Sequence, residues 1–443
     1  MSLTRQLADL LNRPIHQVDR DRAALLLLDW TGCAIAGQAE PAGQKVTAAF
    51  PDEQGRCTRI GTTPSSVMMA ALHNGCLGNV LEMDDVDKRA VLHAAPTVIP
   101  AALAMAEHVD ADAADFLNAI VIGYEATIRI GRAVGPGHYA YWHNTATCGP
   151  FGAAAAACYL LDGSDLVSAF GLAGTQAAGL WQTRHEPDSM AKHLHAGHAA
   201  QVGVQAALLS AQGFQGPRSI LEGEQGFFAA MCPGADPQDV LDDYGDGWLI
   251  HQTSIKPYPA CRHAHAAIDA ALLAREALGD SVIETVVIET YDDAIKFCDR
   301  PDPKTITEAK FSLQHSVAIT LAKGAPKLTD FDLGSVDAKI LDLRRRINVK
   351  GSKSFNADYP AHYGAAVIVN GERYIAKDAY GDPECPMNDK AVLDKVVKLY
   401  AHAGLDRELA IYSGTHTIAL SVPPAELISY TELLNDKHLK TLC

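Results

Sequence analysis

The stretch richest in reactive side chains in this 443-residue chain is 78–107, GNVLEMDDVDKRAVLHAAPTVIPAALAMAE. It sets Glu82, Asp84, Asp85 and Asp87 at the exit of an apolar helix, then Lys88 and Arg89, then His93, then a second helix opened by Pro96. Carboxylates, an imidazole and a fresh helix N-terminus within so short a span are the materials of proton transfer. Acids at the end of a helix oppose its dipole, so each needs a partner, a purpose or plain solvation. A magnesium site of the DDxxD type used by all-helical isoprenoid synthases fails on spacing. DDVDK brings the third acid one place too early, and no second acidic motif follows.

Other segments carry groups that could join such a site. His143, in YWHNTATCGPFG, precedes a helix whose first turn offers Asn144, Thr145 and Thr147 as donors, a place where an anion can rest. His93 and His143 each have a structural alternative as simple caps of the helices they precede. Lys192 opens a helix with His195 and His198 at i+3 and i+6, near one face. HxxH without a matching carboxylate is a weak metal signal, since the zincin pattern needs HExxH, so no metal is expected. Lys256, in SIKPYPACRHAHAAID, ends a short extended run, with Arg262, His263 and His265 in the turns that follow. A lysine held there can act as a base or as a carboxylate clamp; its plain alternative is a solvated surface lysine. No GxxxxGK[ST] loop, strand-linked GxGxxG or GxSxG elbow occurs, which points away from nucleotide cofactors and from the commonest hydrolases.

The formal net charge of −16 argues against nucleic acid or an anionic membrane surface as partner, while a local basic pocket can still take a small anionic substrate. The ten cysteines show no CxxC spacing and read as reduced and mostly buried. No apolar run reaches the roughly 20 residues a membrane helix needs. The opening MSLTRQLADLLNR carries Asp9 in its apolar stripe and lacks a signal-peptide core, so a cytoplasmic protein is expected.

Those groups must be positioned by helices. Apolar periodicity predicts helices over 21–37, 66–82, 96–108, 112–134, 145–161, 165–180 and 192–212. The segments 145–161 and 165–180 are almost free of bulk, which predicts that they pair at the centre of a helical bundle. The character changes near Trp248. Residues 282–291 alternate like a strand, 363–378 reads as a hairpin about Asn370-Gly371, and 307–323 and 336–346 read as helices. From Asn388 the chain returns to helix, with a last helix over 425–439. The expected fold is mainly α: a large all-helical domain from 1–258 and 396–443, with a smaller inserted α+β domain over 259–395.

Five motifs in series, EMDDVDKRAVLHAAPTVIPAALAMAE, WHNTATCGPFGAAAAA, AKHLHAGHAAQVGVQAALLSAQGFQGPRSILEGEQGF, KPYPACRHAHAAIDAAL and GDPECPMN, resemble the MmgE/PrpD family over nearly the whole chain. The resemblance implies two domains of the kind just described and a homodimer. It also implies proton traffic beside a carboxylate on small polycarboxylates, without metal or organic cofactor. Members include 2-methylcitrate dehydratase, cis-aconitate decarboxylase and iminodisuccinate epimerase. Carried over position by position, the pocket would use Glu82, His93, His143, Lys192, Lys256 and residue 315. Two departures stand out: Val86 replaces a threonine after the paired acids, and FSLQH puts His315 where many members carry the tyrosine of FSxxY.

The residues support the same chemistry on their own terms. Removing a proton alpha to a carboxylate builds an enolate-like charge, which cations and helix N-termini already in place stabilise. Lys192, Lys256, Arg262 and the 144–147 turn supply them, and Asp84 and His265 are expected beside the substrate. His93 is expected as principal acid/base and Glu82 as an orienting or relaying group. The expected reaction is dehydration of a 2-methylcitrate-like hydroxy acid. Epimerisation of an iminodisuccinate-like dicarboxylate, cis-aconitate-type decarboxylation and a non-catalytic binding role are the alternatives.

Overall fold

The computed structural model describes residues 1–186, 188–279 and 281–411. The expected helix over 425–439 lies outside them. The chain divides into two compact units, Met1–Thr253 with the segment returning at Asn388, and Ser254–Met387. The divisions fall a few residues from the expected 258/259 and 395/396. The second lies earlier because the Asn388 side chain accepts from Ala391 N and caps a helix that belongs to the first unit.

The first unit is helical: α1 (Leu3–Leu10), α2 (Gln17–Ala39), α3 (Pro41–Ala49), α4 (Val67–Gly78), α5 (Ala95–Val109), α6 (Ala113–Ala133), α7 (Gly135–Tyr139), α8 (Asn144–Leu160), α9 (Leu166–Gly174), α10 (Ala191–Ala211) and α11 (Phe227–Met231). α2 is buried all round from Ala23 to Gln38, as an apolar helix without a polar face must be. α8, fully buried from Asn144 to Cys158, packs against α5, α6, α9 and α10. Its main partner among the small-residue helices is α10 rather than the 165–180 segment. A Cβ on Gly203 of α10 would come 2.3 Å from that of Ala153, and one on Gly197 would come 2.3 Å from the carbonyl oxygen of Leu72 in α4. These glycines allow three helices to meet backbone to backbone.

The 165–180 helix stops at Gly174, six residues early. The chain leaves the helix to pair with the segment before α8: His143 N donates to Gly179 O at 2.9 Å, and Trp181 N to Tyr141 O at 2.9 Å. Those tertiary bonds replace the last turns of helix.

The second unit has α12 (His265–Leu278), α13 (Asp292–Cys298), α14 (Ile306–Lys310), α15 (Leu313–Lys323), α16 (Ala338–Arg345) and α17 (Lys353–Asp358) around a sheet of order β2-β1-β3-β4. The strands are β1 (Val286–Thr290), β2 (Ile347–Gly351), β3 (Ala365–Val369) and β4 (Glu372–Ala376). β1 runs parallel to β2 and antiparallel to β3, and β3 pairs with β4 across the hairpin, Val369 opposite Glu372. Asn370 and Gly371 both take positive φ, as the tight turn requires. The helix expected over 307–323 is broken at Phe311, because the Ser312 hydroxyl accepts from His315 N and starts a new helix. The final helix α18 (Asp389–His402) belongs to the first unit and lays Val392, Val396, Leu399 and Tyr400 against α2.

No helix among the described residues is long and apolar enough to cross a membrane. Eight of the nine described cysteines are buried, Cys385 is exposed, and none is bridged.

Candidate active site

The stretch between α4 and α5 is a loop whose four acids are individually engaged. Asp85 is fully buried; its Oδ1 accepts from Ala95 N at 2.9 Å, capping the first turn of α5. Burial raises its pKa to about 7, and nearby Asp84 and Asp29 push the same way against the Ala95 amide and the Tyr124 hydroxyl. Asp87 takes Arg132 of α6 through both oxygens, at 2.6 and 3.2 Å, and also accepts from Ala90 N at 2.7 Å. Asp84 accepts from Asn79 Nδ2 at 2.7 Å and lies 3.1 Å from His93 Nδ1. Glu82 pairs with Lys192. Acids that solvation alone could have explained are therefore set in specific contacts.

The loop is held from two further sides. Lys395 of α18 pairs with Asp29 of α2 at 2.5 Å and donates to Met83 O at 2.7 Å. Burial depresses the Lys395 pKa, but Asp29 and its neighbours outweigh this and keep it above the ordinary lysine range. An antiparallel bridge between Asp87 and Leu92 closes a small hairpin. Within this loop two non-glycine residues carry positive φ: Glu82 at 60° and the β-branched Val91 at 50°. Such backbone costs about 1–3 kcal/mol per residue and persists only where surrounding contacts impose it.

His93 follows this hairpin. Its Nδ1 is 2.6 Å from the Asp85 carbonyl, and its backbone N donates to Thr145 Oγ1 at 3.0 Å. A carbonyl oxygen only accepts, so the Nδ1 position carries the proton. That leaves Nε2 as the ring nitrogen that accepts in the neutral form, with Asp84 beside the ring. The side chain keeps 13% of its surface accessible.

His143 stands at the N-cap position of α8 and is buried. Its Nδ1 lies 3.2 Å from His195 Nδ1, and Trp181 covers its ring at a centroid distance of 4.4 Å. Burial, then Lys192, His195 and His93 hold its pKa well below the ordinary imidazole value against the opposing charge of Asp84. His195 is pushed down to about 4 by burial, then by Lys192 and His198. Both rings are thus neutral near pH 7, so one Nδ1 donates and the other accepts. Asn144 donates to Ala90 O at 2.7 Å, which ties α8 to the hairpin, while its buried Oδ1 has no hydrogen-bond partner among the described residues.

The helical unit therefore brings Glu82, Asp84, His93, His143, Asn144, Thr145 and Lys192 together. His195, Trp181, Asp29, Arg132 and Lys395 were missed as parts of the arrangement. His195 was visible at i+3 from Lys192, while the others bear on the site only through tertiary contact.

The remaining expected residues lie in the second unit. Lys256 is buried, 1% exposed, in the extended segment before α12. Arg262 pairs with Asp382, whose other oxygen accepts from the Ser254 hydroxyl at 2.5 Å. His265 is buried with Nε2 3.0 Å from Ala260 O. His315 is buried with Nε2 2.9 Å from Asp330 O and its ring against Phe331, and burial lowers its pKa. These contacts make Arg262, His265 and His315 parts of their unit's interior.

Fold and cluster define a mainly helical protein of two units with a set of acid–base groups buried in the helical one. The chain belongs to the MmgE/PrpD family: residues 2–239 match its N-terminal domain and 258–411 its C-terminal domain. Its relatives are enzymes. It is 28% identical over 426 residues to the cis-aconitate decarboxylase-like protein oryM of Aspergillus oryzae, covering 87% of each chain. It is 27% identical over 373 residues to cis-aconitate decarboxylase of Aspergillus terreus, covering 76% of this chain and 75% of the relative. With human cis-aconitate decarboxylase it shares 28% identity over 289 residues, 59% of this chain and 56% of the relative.

Proposed function

We propose that this protein is an acid/base lyase acting alpha to a carboxylate on a small di- or tricarboxylate. The observation that carries the proposal is the fixed tautomer of His93, with Nδ1–H given to the Asp85 carbonyl and Nε2 left for proton transfer. Lys192, drawn to Glu82 at the start of α10, supplies positive charge near His143, and a substrate carboxylate would compete for that ammonium. Neutral His143, held by His195, and the first turn of α8 offer donors that stabilise an enolate-like intermediate without adding a full charge.

In the first reading the substrate resembles aconitate. A carboxylate leaves as carbon dioxide, its bonding electrons pass into the adjoining unsaturated acid, and protonated His93 delivers a proton to the resulting carbanion. The activity of the relatives supports this reading, as does the need for only one proton donor. In the second, a 2-methylcitrate-like hydroxy acid loses water. His93 takes the alpha proton and the Lys192 ammonium, backed by Glu82, protonates the departing hydroxyl.

The test is incubation with a panel of di- and tricarboxylates in deuterated water, followed by NMR. Release of carbon dioxide with one deuterium gained in the product supports the first reading, and loss of water the second. Exchange with inversion and no loss of mass would indicate an epimerase. Absence of both exchange and turnover across the panel, with binding retained, would overturn the proposal in favour of a binding protein.

A further inference from the structure

The α+β unit gathers three side chains of metal-ligand type that the chemistry above does not use. His362 precedes β3, Asp378 follows β4, and Glu384 stands in the tight loop beyond. One ligand atom from each lies within 4.8 Å of the other two, and His362 Nδ1 is 2.7 Å from Asp378 Oδ1. We propose that His362, Asp378 and Glu384 form a binding site for a divalent first-row ion of the zinc or manganese(II) type.

Donor chemistry favours such an ion. One imidazole nitrogen with two carboxylate oxygens is a mixed N/O set, suited to zinc or manganese. At metal–ligand distances of about 2.0–2.2 Å, adjacent ligand atoms stand roughly 3–3.5 Å apart, so closing the group requires shifts of about an ångström. His362 and Asp378 are partly buried and Glu384 is exposed, which leaves a path from solvent and room for water ligands. Without metal, His362 Nδ1 meets Asp378 Oδ1 directly, so an ion would take the place of that contact.

The backbone around the three residues is well fixed. Register pairs Ala365 with Ala376, so His362 and Asp378 come from the open end of one hairpin. The next loop is closed by Gly381 N to Cys385 O at 2.8 Å and Cys385 N to Asp382 O at 2.9 Å. Gly381 has φ 96°, and a Cβ there would fall 1.9 Å from Ile255 O, so the turn needs glycine. Ile255 N in turn donates to Gly381 O at 2.9 Å. An ion on Glu384 would therefore brace the loop that supports both Asp382, the partner of Arg262, and the backbone just before Lys256.

Titration calorimetry of the chelator-stripped full chain with zinc chloride and manganese(II) chloride tests this. The expected result is one saturable site that weakens at least about tenfold in His362→Gln and in Glu384→Gln, while Glu372→Gln, an exposed acid of β4, leaves it unchanged. Circular dichroism verifies the fold of each variant, and exposed Glu384 keeps the test available if His362→Gln misfolds. Zinc should also raise the melting temperature of the parent protein but not of folded Glu384→Gln. No saturable binding, or binding equally tight in Glu384→Gln, overturns the proposal.

Discussion

Nδ1 of His93 lies 2.6 Å from the carbonyl oxygen of Asp85, the residue whose side chain caps the helix that begins two positions after that histidine. One acidic residue thus fixes both the ring and the helix beside it. The contact uses backbone, so it survives substitution of the Asp85 side chain, whereas substitution of His93 removes the proposed proton carrier.

His93→Gln is expected to lower kcat by about 10²- to 10⁴-fold with an unchanged circular dichroism spectrum. Turnover of the substrate identified by NMR is the measurement. Near-parental kcat would remove His93 from the mechanism.

Lys192→Gln removes the ammonium that pairs with Glu82 and takes away the proposed carboxylate clamp. A charge-assisted hydrogen bond contributes about 1.5–3 kcal/mol, so an increase in KM of roughly 10- to 100-fold is expected. Steady-state kinetics that separate KM from kcat decide it; an unchanged KM rejects the clamp.

His195 acts through His143. Replacing it with phenylalanine preserves a ring but removes the bond at Nδ1, and a loss of about tenfold in kcat is expected with little change in KM. Asparagine at the same position should restore part of the rate. Equal activity in the phenylalanine and asparagine variants would contradict a positioning role.

Asp85 makes stability depend on pH in a definite direction. Its pKa in the fold, about 7, exceeds the unfolded value, so between about pH 4 and 7 the native state holds the extra proton. Stability from this group is present in acid and falls as pH rises through that window, by up to about 1.4 kcal/mol per unit. Glu107, raised to about 7 by burial against the Thr58 bonds, acts with the same sign. Calorimetric melting at pH 5, 6, 7 and 8 should show a smaller decline for Asp85→Asn than for the parent. Parallel curves would refute this.

Gly197→Ala should destabilise the fold by about 1–3 kcal/mol, since the new methyl meets the Leu72 carbonyl oxygen at 2.3 Å and Cys76 Sγ at 2.4 Å. Denaturant unfolding measures it, and a loss under 0.5 kcal/mol would mean that α4 and α10 can separate without cost.

The helices with a clear apolar period, the Asn370-Gly371 hairpin and the concentration of acids before His93 were legible in the order of residues, because propensity, capping and turn chemistry act over a few positions. It also carried the family in five motifs. Local pattern misled where tertiary bonds took over: Gly179 leaves helix to pair with His143, Ser312 restarts a helix that periodicity joins, and β2 lacks a readable alternation since only Ile347 is buried on it. What each acid contacts became visible only once the chain was folded. Lys395 reaches Asp29 and Met83, and Arg132 reaches Asp87, across separations for which no periodicity exists. Burial, likewise, is a property of the assembled core, and it is the largest cause that sends Asp85 up toward 7 and His143 down, turning chemically ordinary side chains into groups with different protonation.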